Sequence, residues 1–155
     1  MIDFLDFNLT NYLDTIAAQY RARGFDIFYL PFVYAADFLP IVAGATATQI
    51  VTIDQGADFV WCYQTFACFT AAGVATGSPD MTCRVTVDSS QRQIMSQAIH
   101  LTSFFGTGQN PHRLFKPVVL TAKSSMTVEV TNATAANQNL RLSFTGVKAF
   151  LTRTT

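Results

Sequence analysis

The first apolar positions recur at intervals of three and four: Leu9, Tyr12, Leu13, Ile16, Ala17 and Tyr20. That spacing draws one stripe along a helix. Asn8 offers a cap ahead of it, and Gly24 falls at the C′ position. Arg21 and Arg23 sit where cations suit the helix dipole. The pattern predicts a helix over 9–23, about four turns long, within an N-terminal arm of residues 1–24. A lone amphipathic helix needs a surface to cover, on its own domain or on a neighbouring subunit.

From Phe25 the period changes to two. Phe25–Tyr34 is aromatic-rich, and Thr46–Ile53 is β-branched. Ala57–Ala72 reads as a long strand or strand pair, with Phe59, Trp61 and Tyr63 alternating onto one side. Thr82–Asp88 sets Cys83, Val85 and Val87 against Thr82, Arg84 and Thr86. Ser125–Asn132 sets Met126, Val128 and Val130 against Thr127, Glu129 and Thr131. Gln138–Leu151 sets Leu140, Leu142 and Phe144 against Asn139, Arg141 and Ser143, until Gly146 interrupts it. A glycine there marks a bulge or a close backbone approach.

Turn clusters separate these runs: Gly73–Pro79, Asp88–Arg92, Gly106–Pro111 and Asn132–Asn139. Short alternating strands with frequent turns predict an all-β fold, an antiparallel β-sandwich over residues 25–155. A jelly roll and an immunoglobulin-like sandwich are the candidates. Without a Cys–Trp–Cys spacing of the antibody type, the jelly-roll-like sandwich with an N-terminal helical arm is preferred.

Composition adds a constraint on the surface. Ten Lys and Arg balance ten Asp and Glu, and only 13% of residues are charged, while 50% are hydrophobic. Ordinary soluble proteins carry about 25% charged residues. Disorder is excluded, because such a chain buries ample apolar area. So is nucleic-acid binding through a basic face, since no cationic excess exists. Much of the surface is expected to meet another protein. The longest apolar stretch, Ile27–Val42, is broken by Pro31, Asp37 and Pro40, so no membrane span is expected. Met1-Ile2-Asp3-Phe4 opens with an acid rather than a basic region, and no apolar h-region follows. The chain is therefore expected to be made and folded in a host cytoplasm. Cys62, Cys68 and Cys83 are an odd set, read as buried reduced thiols rather than a disulfide framework.

The search for chemistry yields no catalytic, cofactor-binding or metal residue. His100 and His112 stand twelve apart with no accompanying ligand pattern. Asp54-Gln55-Gly56-Ala57-Asp58 is the nearest approach to a calcium loop, and reads as a hairpin with polar flanks. Gly106-Thr107-Gly108 lacks the Lys and spacer of a phosphate loop and reads as a loop tip. Asn132-Ala133-Thr134 is a formal glycosylation acceptor and reads as a chance match. The ten Lys and Arg are dispersed along the chain, either a solvated face or interface residues.

Phe104-Phe105-Gly106-Thr107-Gly108-Gln109-Asn110-Pro111 leads into Leu114-Phe115-Lys116-Pro117. Ser125–Asn132 and Gln138–Phe150 follow, and Ala57-Asp58-Phe59-Val60-Trp61 lies upstream. This order of phrases, over roughly residues 45–150, resembles small β-sandwich virion structural proteins of tailed bacteriophages, the capsid decoration or cement proteins and the neck or collar parts. The resemblance implies a non-enzymatic protein located in the virion. Its partners would be itself, as a trimer or dimer, and the major capsid protein or another virion protein, with neither nucleic acid nor membrane. A carbohydrate-binding module is the competing class, with Trp61, Tyr63 or Tyr34 as stacking rings. An enzyme on a sandwich is a third, and two separated His with one Glu argue against its cupin form.

Overall fold

The structure is a computed structural model and describes residues 4–88 and 92–153. A helix, α1 (Phe4–Arg21), precedes nine strands. They are β1 (Phe25–Ile41), β2 (Thr46–Thr52), β3 (Asp58–Thr70), β4 (Met81–Val87) and β5 (Arg92–Gln93). β6 (Ile99–His100), β7 (His112–Leu120), β8 (Ser125–Asn132) and β9 (Gln138–Arg153) complete the set. One sheet has the order β1-β9-β3-β7, and the other β2-β8-β4-β5. β6 pairs with β4 as well, at Thr82 and Cys83, while β5 pairs at Thr86 and Val87. The two therefore form one interrupted strand along β4, and the sandwich has eight lanes. All the strand pairings are antiparallel. The chain crosses between the sheets at nearly every connection, and this is the jelly roll.

Period two explains the packing. β4 alternates buried and half-buried from end to end, and β8 does the same. Cys83, Val85, Val128 and Val130 face Phe59, Trp61, Leu140, Leu142 and Phe144 in one core. Trp61 and Phe144 meet edge to face with ring centroids 5.1 Å apart. Each such aromatic pair adds about 1 kcal/mol beyond its buried area.

Four expectations need correction. The helix does not run over 9–23: it starts at Phe4 and ends at Arg21, leaving Arg23 in the turn before Gly24, whose φ is +80. No Gly or Pro stands between Phe4 and Asn8, so the helix passes through Asn8 instead of starting there. β1 extends past Tyr34 to Ile41, crossing Pro31 and Pro40, because an edge strand tolerates prolines. β7 is a strand that the alternation did not reveal, since Lys116-Pro117 breaks its period. Tyr63 does not share a side with Phe59 and Trp61. The β3–β9 register slips between Trp61 and Tyr63, so Cys62 is the extra residue of a bulge and Tyr63 turns to the outer face. Gly146 lies opposite that slip, where the close approach was expected. Of the Asp88–Arg92 turn, residues 89–91 lie outside the described residues.

Candidate interaction surfaces

The two sheets differ in length, and that mismatch creates the main surface. β1 has 17 residues and β9 has 16, whereas β2 has only 7. Residues 25–33 pair with 145–153 as a ribbon that outruns the second sheet. Helix α1 covers one face of it. Ala17 is buried there, and Tyr12, Ile16 and Tyr20 are half-buried. The Tyr29 hydroxyl donates to the Leu13 carbonyl at 3.0 Å, and Arg21 pairs with Asp26 at 3.7 Å. Burial and the nearby Asp14 carboxylate push the Tyr29 hydroxyl above its usual pKa. A cavity of about 270 Å³ remains between helix and sheet, lined by Tyr12, Ile16, Ile27, Val60 and Leu151 among others.

Among the described residues, nothing covers the other face of the ribbon. By alternation, Phe28 and Leu30 continue the row of Phe32, Tyr34 and Ala36 that enters the core. They stay 58% and 43% exposed, because sheet two ends before reaching them. Phe28 leans on Phe150 across the ribbon at 6.3 Å. Lys148 closes the core at the boundary. Its ammonium bonds the Asp54 carboxylate and lies 3.4 Å from the centre of the Phe32 ring. Burial pulls the Lys148 pKa down, but the Asp54 hydrogen bond and the charges of Tyr34 and Asp54 together outweigh it, so the net shift is upward. The hydrogen bond from Lys148 lowers the Asp54 pKa in turn.

Further exposed apolar side chains stand apart: Leu39 and Phe69 at the far end of the first sheet, Phe115 on β7, and Ile50 on β2. The outer face of the second sheet is different. It carries Thr46, Thr48 and Thr52 on β2, Thr127 and Thr131 on β8, and Thr82 and Thr86 on β4. Thr46 and Thr131 hydroxyls meet at 2.8 Å, and Asp88 accepts from Ser125 and Thr127 at 2.9 and 3.0 Å. That face is hydroxyl-rich and half-buried on β4 and β8, with Ile50 exposed among the β2 threonines.

The residues weighed for chemistry are dispersed and occupied. His100 bonds Thr102 at 2.8 Å and lies 4.0 Å from Asp80, while the His112 ring sits 5.9 Å from that of Phe104. Asp54 holds Lys148, and Asp58 accepts from the Ala122 amide at 2.8 Å. Asn132 is wholly buried and hydrogen-bonded to Ile41, Ala136 and Thr134. It is therefore no glycan acceptor. Cys62, Cys68 and Cys83 are buried and unbridged, and burial raises all three thiol pKa values, to about 11 for Cys62 and about 12 for Cys83. Among the described residues no group of three His, Cys, Asp or Glu converges on one point. Of the three rings weighed for sugar stacking, Trp61 and Tyr34 are in the core and Tyr63 is half-buried. No helix of the described residues is long and apolar enough to cross a membrane.

No protein-family model matches the chain, and no curated protein matches it. Among solved structures, FlhE is 8% identical over 79% of this chain and 96% of its own, with a TM-score of 0.40. The decameric BFDV capsid protein is 8% identical over 80% of this chain and 98% of its own, at 0.39. The capsid asymmetric unit of cyanophage Pam1 is 14% identical over 80% and 86%, at 0.38. Viral capsid proteins thus stand among the structural neighbours, but likenesses this low assign no role. The class of this chain, an all-β jelly-roll sandwich with an N-terminal helix, rests on its own strand order.

Proposed function

We propose that this protein is a structural component of a tailed-phage virion, a capsid decoration or cement protein that stabilises a shell through symmetric contacts between copies. Neck or collar placement is the second position for the same role. Residues 1–24 serve as a helical arm that widens the footprint of the sandwich formed by residues 25–155. The observation that carries this reading is the open apolar ribbon: Phe28 and Leu30 stay exposed on a chain with only 13% charged residues. Exposed apolar area of this kind marks a protein contact. Many identical weak contacts on a shell combine through effective concentration. The jelly roll is a fold of viral capsids, and of lectins and cupins as well. The sugar-binding alternative loses its main motive with Trp61 and Tyr34 in the core.

Mass spectrometry and electron microscopy of the purified parent particle test the role. The chain is expected in stoichiometric multiples, with a sandwich-sized density on the shell or neck. A particle that lacks the chain overturns the proposal.

A further inference from the structure

We propose that β2 is the self-association edge of this sandwich, and that two copies pair antiparallel through residues 46–52 about a twofold axis at Gln49. The proposal rests on the self-association in the reading above and names the strand that carries it.

Each sheet has two edges, and exposed edges invite pairing unless they are blunted by charge, proline or irregularity. β1 carries Asp26, Pro31, Asp37 and Pro40. β7 carries Arg113, Lys116 and Pro117. The β5–β6 edge is interrupted. Only β2, Thr-Ala-Thr-Gln-Ile-Val-Thr, has no charge, no proline and no register shift. Apart from Gln49, its residues are β-branched or small, with Ile50 65% exposed.

The hydrogen-bond parity sets the geometry. At either end of β2, Ala45 accepts from the Asn132 amide and the Ile53 amide donates to Ser124. Odd-numbered residues therefore bond to β8. Thr46, Thr48, Ile50 and Thr52 aim their backbone N–H and C=O groups at the free edge. A twofold at Gln49 brings Thr48 opposite Ile50 of the second copy, and Thr46 opposite Thr52 of the second copy. Those are the mutually hydrogen-bonded positions, so every outward backbone group finds a partner. Gln49 meets its own copy at a non-hydrogen-bonded position, where amide side chains stand closest. An uncharged strand brings no like-charge repulsion to such a self-complementary, isologous contact.

Cysteine cross-linking reads this register directly. In the paired state the two Gln49 Cα atoms stand about 4.5 Å apart, inside disulfide range. Thr48 and its copy are diagonal, about 7–8 Å apart, and outside it. The three native thiols are buried, so the background is low. Mild oxidation of Gln49→Cys is expected to give a reducible covalent dimer of twice the 17.0 kDa chain mass, while Thr48→Cys stays uncross-linked. Ile50→Lys places a charge on the edge and is expected to lower the sedimenting mass at least twofold, with an unchanged circular dichroism spectrum. If wild type sediments as an oligomer, Gln49→Cys fails to cross-link and Ile50→Lys keeps the full mass, another surface joins the copies and the β2 contact is overturned, though self-association stands. A wild type that is monomeric at about 100 µM overturns both. The place on the virion is decided separately, by the particle itself.

Discussion

Gly146 passes directly beneath the Val60 carbonyl, where Cys62 is squeezed out of register with β9. A Cβ on Gly146 would run into that carbonyl and lie 3.1 Å from the Phe59 ring. The obstacle is backbone of the central strand pair, so it cannot swing aside as a side chain would. Gly146→Ala is expected to destabilise the sandwich by about 3 kcal/mol, the high end of an overpacking change. Urea denaturation measures it, and an unchanged midpoint would mean that the two strands can separate at no cost.

This pair also shows how much of the fold was legible beforehand. Alternation places β8 in full and β4 to within one residue at each end, because each has one face in the core and one turned outward. Gly146 flagged the close approach. The bulge itself was not visible in β3, because the glycine that accommodates it lies on the neighbouring strand. Alternation alone therefore puts Tyr63 on the wrong face. β7 carries no such signal, because Lys116 and Pro117, which suit an unpaired edge, break the period that marks a strand. The candidate surface was hardest to read. Phe28 and Leu30 repeat the alternation of Tyr34 and Ala36, and only the shortness of the facing sheet leaves them exposed. Sequence periodicity reports which side a residue faces, not whether anything covers that side.

Asn132 ties three segments together. Its amide nitrogen donates to Ile41 at 3.1 Å and Ala136 at 2.9 Å, and its oxygen accepts from the Thr134 amide and hydroxyl at 3.0 and 2.7 Å. Removing it leaves the buried Ile41 carbonyl without this donor and frees the half-buried Thr134 from the turn. Asn132→Ala is expected to cost about 3 kcal/mol. Thr134→Ala, which leaves the Asn132 amide bonds in place, should cost about 1 kcal/mol. Equal losses in paired thermal denaturation would refute this ordering.

The Lys148–Asp54 pair predicts an acid dependence. Asp54 binds its proton less readily when folded than when unfolded, since its pKa is lowered by the Lys148 hydrogen bond. Asp37 behaves alike through Arg141, whose guanidinium donates to it at 2.6 and 2.9 Å. A lowered folded pKa gives stability that is fully present above the unfolded value, about 3.9. It is lost as pH falls through the lower folded value. Wild-type stability should hold from neutral pH to about 5 and fall below 4. Asp54→Asn should be less stable than wild type at pH 7, and the difference should shrink toward pH 2–3. Urea midpoints across that range test it, and a constant difference would show that the charge of Asp54 contributes nothing. The raised Lys148 and Arg141 values act at the opposite end: their contribution is full below the unfolded pKa and is lost as pH rises through the folded one.

The cysteines predict inertness. Burial raises Cys62 to about 11 and Cys83 to about 12, with Cys68 also raised. Thiolate is the reactive form. At pH 8 the native protein should therefore react with a thiol reagent at none of the three positions on the minute scale, and at all three after denaturation. Fast labelling of one thiol in the native state would show that its strand opens locally.

The helical arm predicts a separation between folding and assembly. Among the described residues, α1 lays the buried Ala17 and the half-buried Tyr12, Ile16 and Tyr20 on a face of the sandwich, accepts the Tyr29 hydroxyl bond at Leu13 and makes the exposed Arg21–Asp26 pair. Among the described side chains, none from the helix belongs to the core cluster. Deleting residues 1–24 should therefore leave the β spectrum and a cooperative melt intact. It should also bare Ile27, Val60 and Leu151 on the sheet that the helix covers. If the arm helps to join subunits, the truncated chain should sediment at lower mass or dissociate at higher concentration than wild type. If it merely shields the sheet, the truncated chain should aggregate through the bared face while native contacts persist. A truncated chain with no folded β structure would place α1 within the fold proper and remove the division at Gly24.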